Sequence, residues 1–238
     1  MSDQPQTVTP PRIGLRAALR ALLIVAALPL LLFAFAGTWR WWQAWVYYGS
    51  SLLLTIASRA LVAVHFPDLI AERANSLEHQ EAKPWDRVLV PILTVFGPLV
   101  EWAVAGLDKR FGWSAPVPTA VWWAALAVLV ASWALATWAL LTNRWFSGTV
   151  RIQTERGHRV VDNGPYRYVR HPGYTGAILG NLSSMLVLAS WWALIPATLV
   201  TACTVLRTLL EDRSLQAELP GYIEYTKNTR YRLLPGVW

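Results

Sequence analysis

Residues 171–212 read HPGYTGAILGNLSSMLVLASWWALIPATLVTACTVLRTLLED. Two apolar runs, 174–190 and 192–210, meet at "ASWWALIP". Both are short for membrane spans, so the pair reads as a helical hairpin that either crosses a bilayer and returns or reaches part-way. Upstream lie four more apolar segments, at 17–37, 42–64, 88–106 and 119–142. Each is long enough to cross roughly 30 Å of hydrocarbon at about 1.5 Å per residue.

Composition points the same way. Of the 238 residues, 55% are hydrophobic and 15% charged, where a soluble domain carries about 25% charged residues. The mean hydropathy is +0.34. The expected fold class is all-α: a polytopic integral membrane protein with about five or six transmembrane helices, a C-terminal hairpin, and a cytosolic cofactor-binding loop and tail. The lipid bilayer is its first expected partner. Three stretches organise the chain: a disordered cytosolic N-terminus at 1–12, transmembrane helices over 13–149, and a C-terminal region at 150–238 that carries the polar chemistry. The N-terminus lacks a short apolar core with a small-residue cleavage site, so no cleaved signal peptide is expected.

Charge sets the orientation. Arg12, Arg16 and Arg20 precede the first apolar segment, and the outer loops hold only Arg40, Lys109 and Arg110. Arg73, Lys83, Arg87, Arg144, Arg151, Arg156, Arg159, Arg167, Arg170 and the tail's Arg213, Lys227, Arg230 and Arg232 fall on the opposite side. By the positive-inside rule both termini are cytosolic, in the inner or plasma membrane if the source is prokaryotic. The net charge of +7 is therefore a topology signal, and no nucleic-acid partner is expected. Trp41-Trp42, Trp122-Trp123 and Trp191-Trp192 each open an outside-to-inside helix, where an aromatic belt would sit. Cys203 is the single cysteine, which excludes an internal disulfide and a cysteine metal cluster.

Chemistry concentrates after residue 150. In "VRIQTERGHRVVDNGPYRYVRHP", Pro172 suits a first helical turn, so His171 is expected to cap the helix. A helix N-terminus with Arg170 and Arg167 beside it suits a carboxylate or phosphate. Tyr166, Tyr168 and Tyr174 offer flat faces for an adenine or a cation. The same residues would also serve as an interfacial anchor, arginines on lipid phosphates and tyrosines at the headgroups. A second cluster favours a site: Arg207 and Glu211 stand four apart, on one helical face, at the cytosolic end of the last apolar run. Asp212 points about 100° away from Glu211.

"GHRVVDNGPYRYVRHPGYTG", "RTLLEDRSL" and "YIEYTKNTRYRLLPGVW" together resemble the isoprenylcysteine carboxyl methyltransferase family, whose members use S-adenosylmethionine. The resemblance covers about residues 150–235, and "AERANSLEHQEAKPWDR" at 71–87 is similar to prokaryotic members. It implies that His158, Arg159, Val160 and Val161 form a strip along the cofactor, enclosed by Tyr166 and the His171-Pro172-Gly173-Tyr174 turn. Gln153, or Arg151 in its place, supplies a polar contact. Glu211 binds the cofactor from the last helix, with Arg170 near its carboxylate, and Arg207 orients the acceptor. The family's acidic pair is here Glu211-Asp212, and a contact that needs glutamate's reach is in doubt at Asp212.

Bottom-up chemistry agrees with that list. Methyl transfer from a sulfonium is an in-line displacement that needs orientation and desolvation more than a strong base. If the acceptor is a carboxylate, Arg207 is expected to hold it by two parallel hydrogen bonds. The expected activity is S-adenosylmethionine-dependent methyl transfer to a lipophilic, isoprenylcysteine-like acceptor. A small thiol, a phospholipid amine, an NADPH-dependent sterol-reductase-like activity and a small transporter or lipid-binding scaffold are the alternatives. Remaining signals are local. Asp68, Glu72 and Asp86 are expected in a solvated loop, with "KPWD" a possible lid, and His65 and His79 at the surface. Glu101 lines the pocket or pairs with a neighbouring helix.

Overall fold

The computed structural model describes residues 30–74 and 82–238. The expectations for 1–12, for Arg12, Arg16 and Arg20, and for His79 lie outside the described residues. Seven helices are named here: α1 (Trp42–His65), α2 (Pro67–Ala74), α3 (Asp86–Phe111), α4 (Thr119–Thr142), α5 (Pro172–Val187), α6 (Leu194–Glu218) and α7 (Tyr222–Asn228). Residues 30–36 form a further helical stretch, the described end of the first apolar segment. Among the described residues there is no strand, so the class is all-α.

Among the described residues four helices, α1, α3, α4 and α6, are long and apolar enough to cross a membrane. Five or six were expected over the whole chain, and most of its first apolar segment, 17–37, lies outside the described residues. The 16 residues of α5 rise only about 24 Å, short of a hydrocarbon core of about 30 Å. Side chains such as Leu53 and Val64 of α1 are 67% and 79% exposed, a surface that suits lipid and not water.

Irregularity in α3 has a local cause. Pro91 and Pro98 have no N–H to give to their helix. Between them Ile92–Phe96 widens into a π turn, in which the Gly97 N–H bonds to the Ile92 carbonyl. Glu101, one turn later, is buried beside Asn181 of α5. It lines neither lobe of the cleft described below, and its Oε1 has no hydrogen-bond partner among the described residues.

Small residues let the bundle close. On α5, a Cβ at Gly176 would stand 2.7 Å from the Ser132 carbonyl oxygen of α4, and one at Gly180 would stand 2.8 Å from Ser132 Oγ. Glycines four apart on one face bring the two backbones together without a hydrophobic driving force, which lipid does not supply. At one end of this seam the Trp122 indole donates to the Val187 carbonyl at 2.9 Å. Asn181 then ties α5 to the Ala197 carbonyl of α6 at 3.1 Å, and Thr137 of α4 donates to Ser58 of α1 at 2.9 Å. The expected hairpin is therefore present. Its second arm runs about two turns past residue 210, to Glu218, and carries Arg207, Glu211 and Asp212 out to the polar end.

Trp41 and Trp122 are buried, while Trp42 and Trp123 are exposed. Only the second member of those two pairs is placed to meet lipid headgroups, whereas Trp191 and Trp192 are both exposed.

Candidate functional site

The polar end is built on two buried carboxylates. Asp86 opens α3 and was expected in solvent, yet it is fully buried. Its Oδ1 accepts from Arg207 Nε at 2.6 Å and its Oδ2 from Arg207 Nη2 at 3.0 Å. Oδ2 also takes the Val150 amide at 2.7 Å. The physical reason is the partner: a guanidinium arriving from α6 offsets the cost of removing the carboxylate from water. Glu72 is corrected likewise, since its nearly buried carboxylate pairs with Arg151 Nη2 at 3.1 Å. Asp68 stays half-exposed, shared by Arg144 and Arg156, as expected. "KPWD" is no free lid: the Lys83 amide bonds to the Val150 carbonyl at 3.1 Å and its amine to Glu218 at 2.5 Å.

Asp212 is the second carboxylate, and it too is fully buried. Arg170 reaches it through Nε and Nη2 at 2.8 and 2.9 Å, Arg232 through Nε at 2.8 Å, and Gln216 at 2.8 Å. The Tyr222 hydroxyl donates at 3.1 Å and His171 Nε2 lies at 3.2 Å. Arg170 Nη1 donates to the Thr229 and Arg230 carbonyls. The tail is thereby fastened across the start of α5, where the Arg170 and His171 amides bond to the Tyr231 and Arg232 carbonyls at 2.9 Å. His171 occupies the N-cap position but makes no side-chain cap bond. The expected capping is corrected, because Asp212 and Tyr222 hold the ring instead.

Between these clasps lies a two-lobed cleft. The tyrosine lobe is walled by His158, Arg159, Val160, Val161, Tyr166, Arg170, His171 and Tyr174, with Glu211, Leu215, Leu219, Tyr222 and Tyr225 opposite. The arginine lobe is walled by Trp145, Ser147, Thr149, Val150, Arg151 and Arg207. Asn143, Phe146, His158, Tyr174, Glu211 and Leu215 border both. At that shared border the Tyr174 hydroxyl donates to Glu211 Oε2. The Arg207 guanidinium lies 5.3 Å from the centre of the Tyr174 ring.

Arg207 therefore meets the cleft with fewer donors than expected. Nε and Nη2 serve Asp86, and Nη2 also serves the Gly148 carbonyl at 3.0 Å. Nη1 is the remaining nitrogen of the fork, so an acceptor is offered one nitrogen and not two parallel ones. Arg170 borders the tyrosine lobe, but its donors are taken up by Asp212 and the tail carbonyls. Gln153, Pro172 and Gly173 stand behind the walls. Gln153 is fully buried and donates to the Trp145 carbonyl at 2.7 Å, while a Cβ on Gly173 would meet the Phe146 ring at 2.7 Å. Arg167 and Tyr168 lie at the surface, guanidinium against ring at 6.0 Å.

His158 stacks on Trp145 with ring centres 5.7 Å apart. Burial, and then the positive charges of Arg151 and Arg156, push its pKa down to about 4. Its Nδ1 faces the Gln153 amide at 3.4 Å, so the neutral ring carries its proton on Nε2. Tyr166 accepts from Asn143 Nδ2 at 3.3 Å, and burial raises its phenol above the ordinary range.

Sequence reasoning placed Asp86 in a solvated loop and did not single out Asn143, Phe146, Leu215, Leu219, Tyr222 or Tyr225. For four of them a signal was available. Leu215 and Leu219 extend the Arg207-Glu211 face at intervals of four, and Tyr222 and Tyr225 share a face of α7. Asp86 offered none, because its partner is 121 residues away.

A spanning all-helical bundle with a polar, aromatic cleft at one end defines a membrane protein with a candidate ligand site there. The profile of the isoprenylcysteine carboxyl methyltransferase (ICMT) family matches residues 123–217, from the first turn of α4 almost to the end of α6. Two rice proteins, from Oryza sativa subsp. indica and subsp. japonica, are each described as "Probable protein-S-isoprenylcysteine O-methyltransferase". Each is 33% identical over 57 residues, 24% of this chain and 30% of the relative. The resemblance thus rests on the segment that carries both arms of the hairpin and most of the cleft, and the match spans under a third of these curated relatives.

Proposed function

We propose that the chain is an S-adenosylmethionine-dependent membrane methyltransferase with its cleft on the cytosolic side. The acceptor is lipophilic, a carboxylate of the isoprenylcysteine kind. One observation carries the reading: an aromatic lobe and an arginine lobe meet at Glu211 and Tyr174.

The residues fit such a cofactor. A cationic, aromatic-bearing molecule suits a lobe walled by Tyr166, Tyr174, Tyr222 and Tyr225 with one carboxylate, Glu211, at its border. The cofactor, when bound, supplies an electrophilic methyl group on a sulfonium. Glu211 is oriented by the Tyr174 hydroxyl and attracts the positive charge, His158 offers its Nε2–H, and Val160, Leu215 and Phe146 exclude water. On the other side Arg207 Nη1 orients the acceptor's oxyanion. A carboxylate acceptor needs no proton removed, and the cleft's two histidines are both held. His158 faces the Gln153 amide and His171 is locked against Asp212. Rate then comes from alignment of acceptor and methyl group and from desolvation of the acceptor oxygen.

The test is ligand binding followed by turnover. Protein purified in detergent is titrated with S-adenosylmethionine and with NADPH by calorimetry. Methyl-labelled cofactor is then offered with an S-prenylated N-acetylcysteine, a small thiol and an aminophospholipid. The expected result is binding of the first ligand alone, its loss in Glu211→Ala, and label on the prenylated carboxylate. Binding of NADPH, or of neither ligand, overturns the reading.

A further inference from the structure

The opposite end of the bundle holds a second cleft that the methyl-transfer reading does not use. It holds a cavity of about 310 Å³ between the start of α1, the end of α3, the start of α4 and the turn after α5. Asp108, in its wall, is 22 residues along α3 from Asp86, a rise of about 33 Å.

Asp108 is buried. Its oxygens accept from the Ser114 amide at 2.7 Å, the Ser114 hydroxyl at 2.5 Å and the Ser190 hydroxyl at 2.5 Å. Among the described residues it forms no ion pair. The two fully buried aspartates at the other end, Asp86 and Asp212, each have a guanidinium, while Glu101, buried in mid-helix, forms no ion pair among the described residues and lines none of the three clefts. A buried carboxylate held only by hydroxyls and an amide lacks the cation that ordinarily accompanies one. The turn that delivers Ser190 is itself strained, with Ala189 at φ 59°.

Indoles surround the same space. Trp41 and Trp122 form the inner wall, and Trp42 and Trp123 stand exposed at the mouth. Trp42 and Trp123 each lie 4.8 Å from the Trp122 ring centre, tilted by 56° and 83°. Rings set at angles beside a carboxylate form the kind of cage that recognises an ammonium group. Lys109, exposed at the rim, adds a cation where a phosphate would follow the ammonium outward. The mouth lies at the ends of spanning helices, at the depth of headgroups.

We propose that this cleft binds the headgroup of an ammonium-bearing phospholipid. Asp108 is the counter-ion, the tryptophans are the cage, and Lys109 meets the phosphate. The site is independent of methyl transfer, and its test reads no turnover.

The full chain is purified in detergent and equilibrated with an equimolar mixture of phosphatidylethanolamine, phosphatidylcholine and phosphatidylglycerol, and retained lipid is counted by native mass spectrometry. Each of the two amine lipids should exceed phosphatidylglycerol on the order of five-fold, equivalent to about 1 kcal/mol. Trp123→Ala removes an exposed wall without threatening the fold, and Asp108→Asn removes the charge. Both should bring the ratio towards one. Equal retention by the unsubstituted chain, or an undiminished ratio in Trp123→Ala, overturns the proposal.

Discussion

Arg207 of α6 grips Asp86 of α3 through Nε and Nη2 at 2.6 and 3.0 Å, joining two spanning helices below the cleft. Both side chains are buried. Removing one partner strands the other charge, so Asp86→Ala should destabilise the protein by about 3–5 kcal/mol. The double variant Asp86→Ala/Arg207→Ala should lose less than the sum of the single losses. Thermal unfolding in detergent measures all three. Additive losses would show that the pair is not coupled.

The same grip decides what a lysine does at this position. Lysine has one nitrogen, where Arg207 uses two for Asp86 and keeps Nη1 for the cleft. Arg207→Lys should bind S-adenosylmethionine as before and lose at least about ten-fold in turnover, roughly 1.4 kcal/mol of acceptor alignment. Turnover equal to that of the unsubstituted chain would remove Arg207 from the acceptor's side of the reaction.

Asp212 gathers Arg170, His171, Arg232 and Tyr222, and so fixes both the tyrosine lobe's wall and the tail. In Asp212→Asn the Arg170 and His171 amides, bonded to Tyr231 and Arg232 carbonyls, should exchange with deuterium at least about ten-fold faster. Amides in the middle of α4 serve as the control. Exchange unchanged at both positions would mean that the tail docks without the carboxylate.

These clasps show where sequence reasoning stops. Helix positions follow from apolar runs and proline breaks, which are local, and so do the Arg207-Glu211 face and the His171-Pro172 turn. The depth of α5 is legible too, since its apolar run is short. Burial of Asp86, Glu72 and Asp212 depends on arginines that sit 121, 79 and 42 residues away, and no periodicity reports such a pairing. For the same reason Arg170 reads as a ligand donor in the sequence and is a tail clamp in the structure. Trp41 and Trp122 look like belt residues until the helix rotation is known.

Gly176 tests the α4–α5 seam. A Cβ there stands 2.7 Å from a backbone carbonyl, which has no side-chain freedom to yield. Gly176→Ala should cost about 1–3 kcal/mol and lower the melting temperature. Gly49→Ala, at a position with open space around it, should be neutral or slightly stabilising. A Gly176→Ala protein as stable as Gly49→Ala would show that the α4–α5 seam does not depend on the missing Cβ.

His158 gives the fold a pH dependence of known sign. Its pKa falls from 6.5 to about 4 on folding, so the unfolded chain takes up a proton that the native state refuses. The stability it contributes is whole above about pH 6.5 and drains away as pH falls towards 4. In His158→Gln the replacement has no proton to gain, and its side-chain oxygen can still accept the Gln153 amide. Between pH 7 and pH 4.5 the unsubstituted chain should therefore lose on the order of a few degrees more in melting temperature than the variant does. Asp68 and Glu155, whose pKa values their arginine partners lower against the opposing effect of burial, titrate in both proteins, so the difference between the two curves belongs to His158. Cofactor binding should be level from pH 7.5 to 5.5, because the ring stays neutral throughout. Parallel melting curves, or a binding transition near pH 6.5 that His158→Gln abolishes, would mean that the ring takes up a proton in the folded protein and that the Trp145 stack does not exclude its charge.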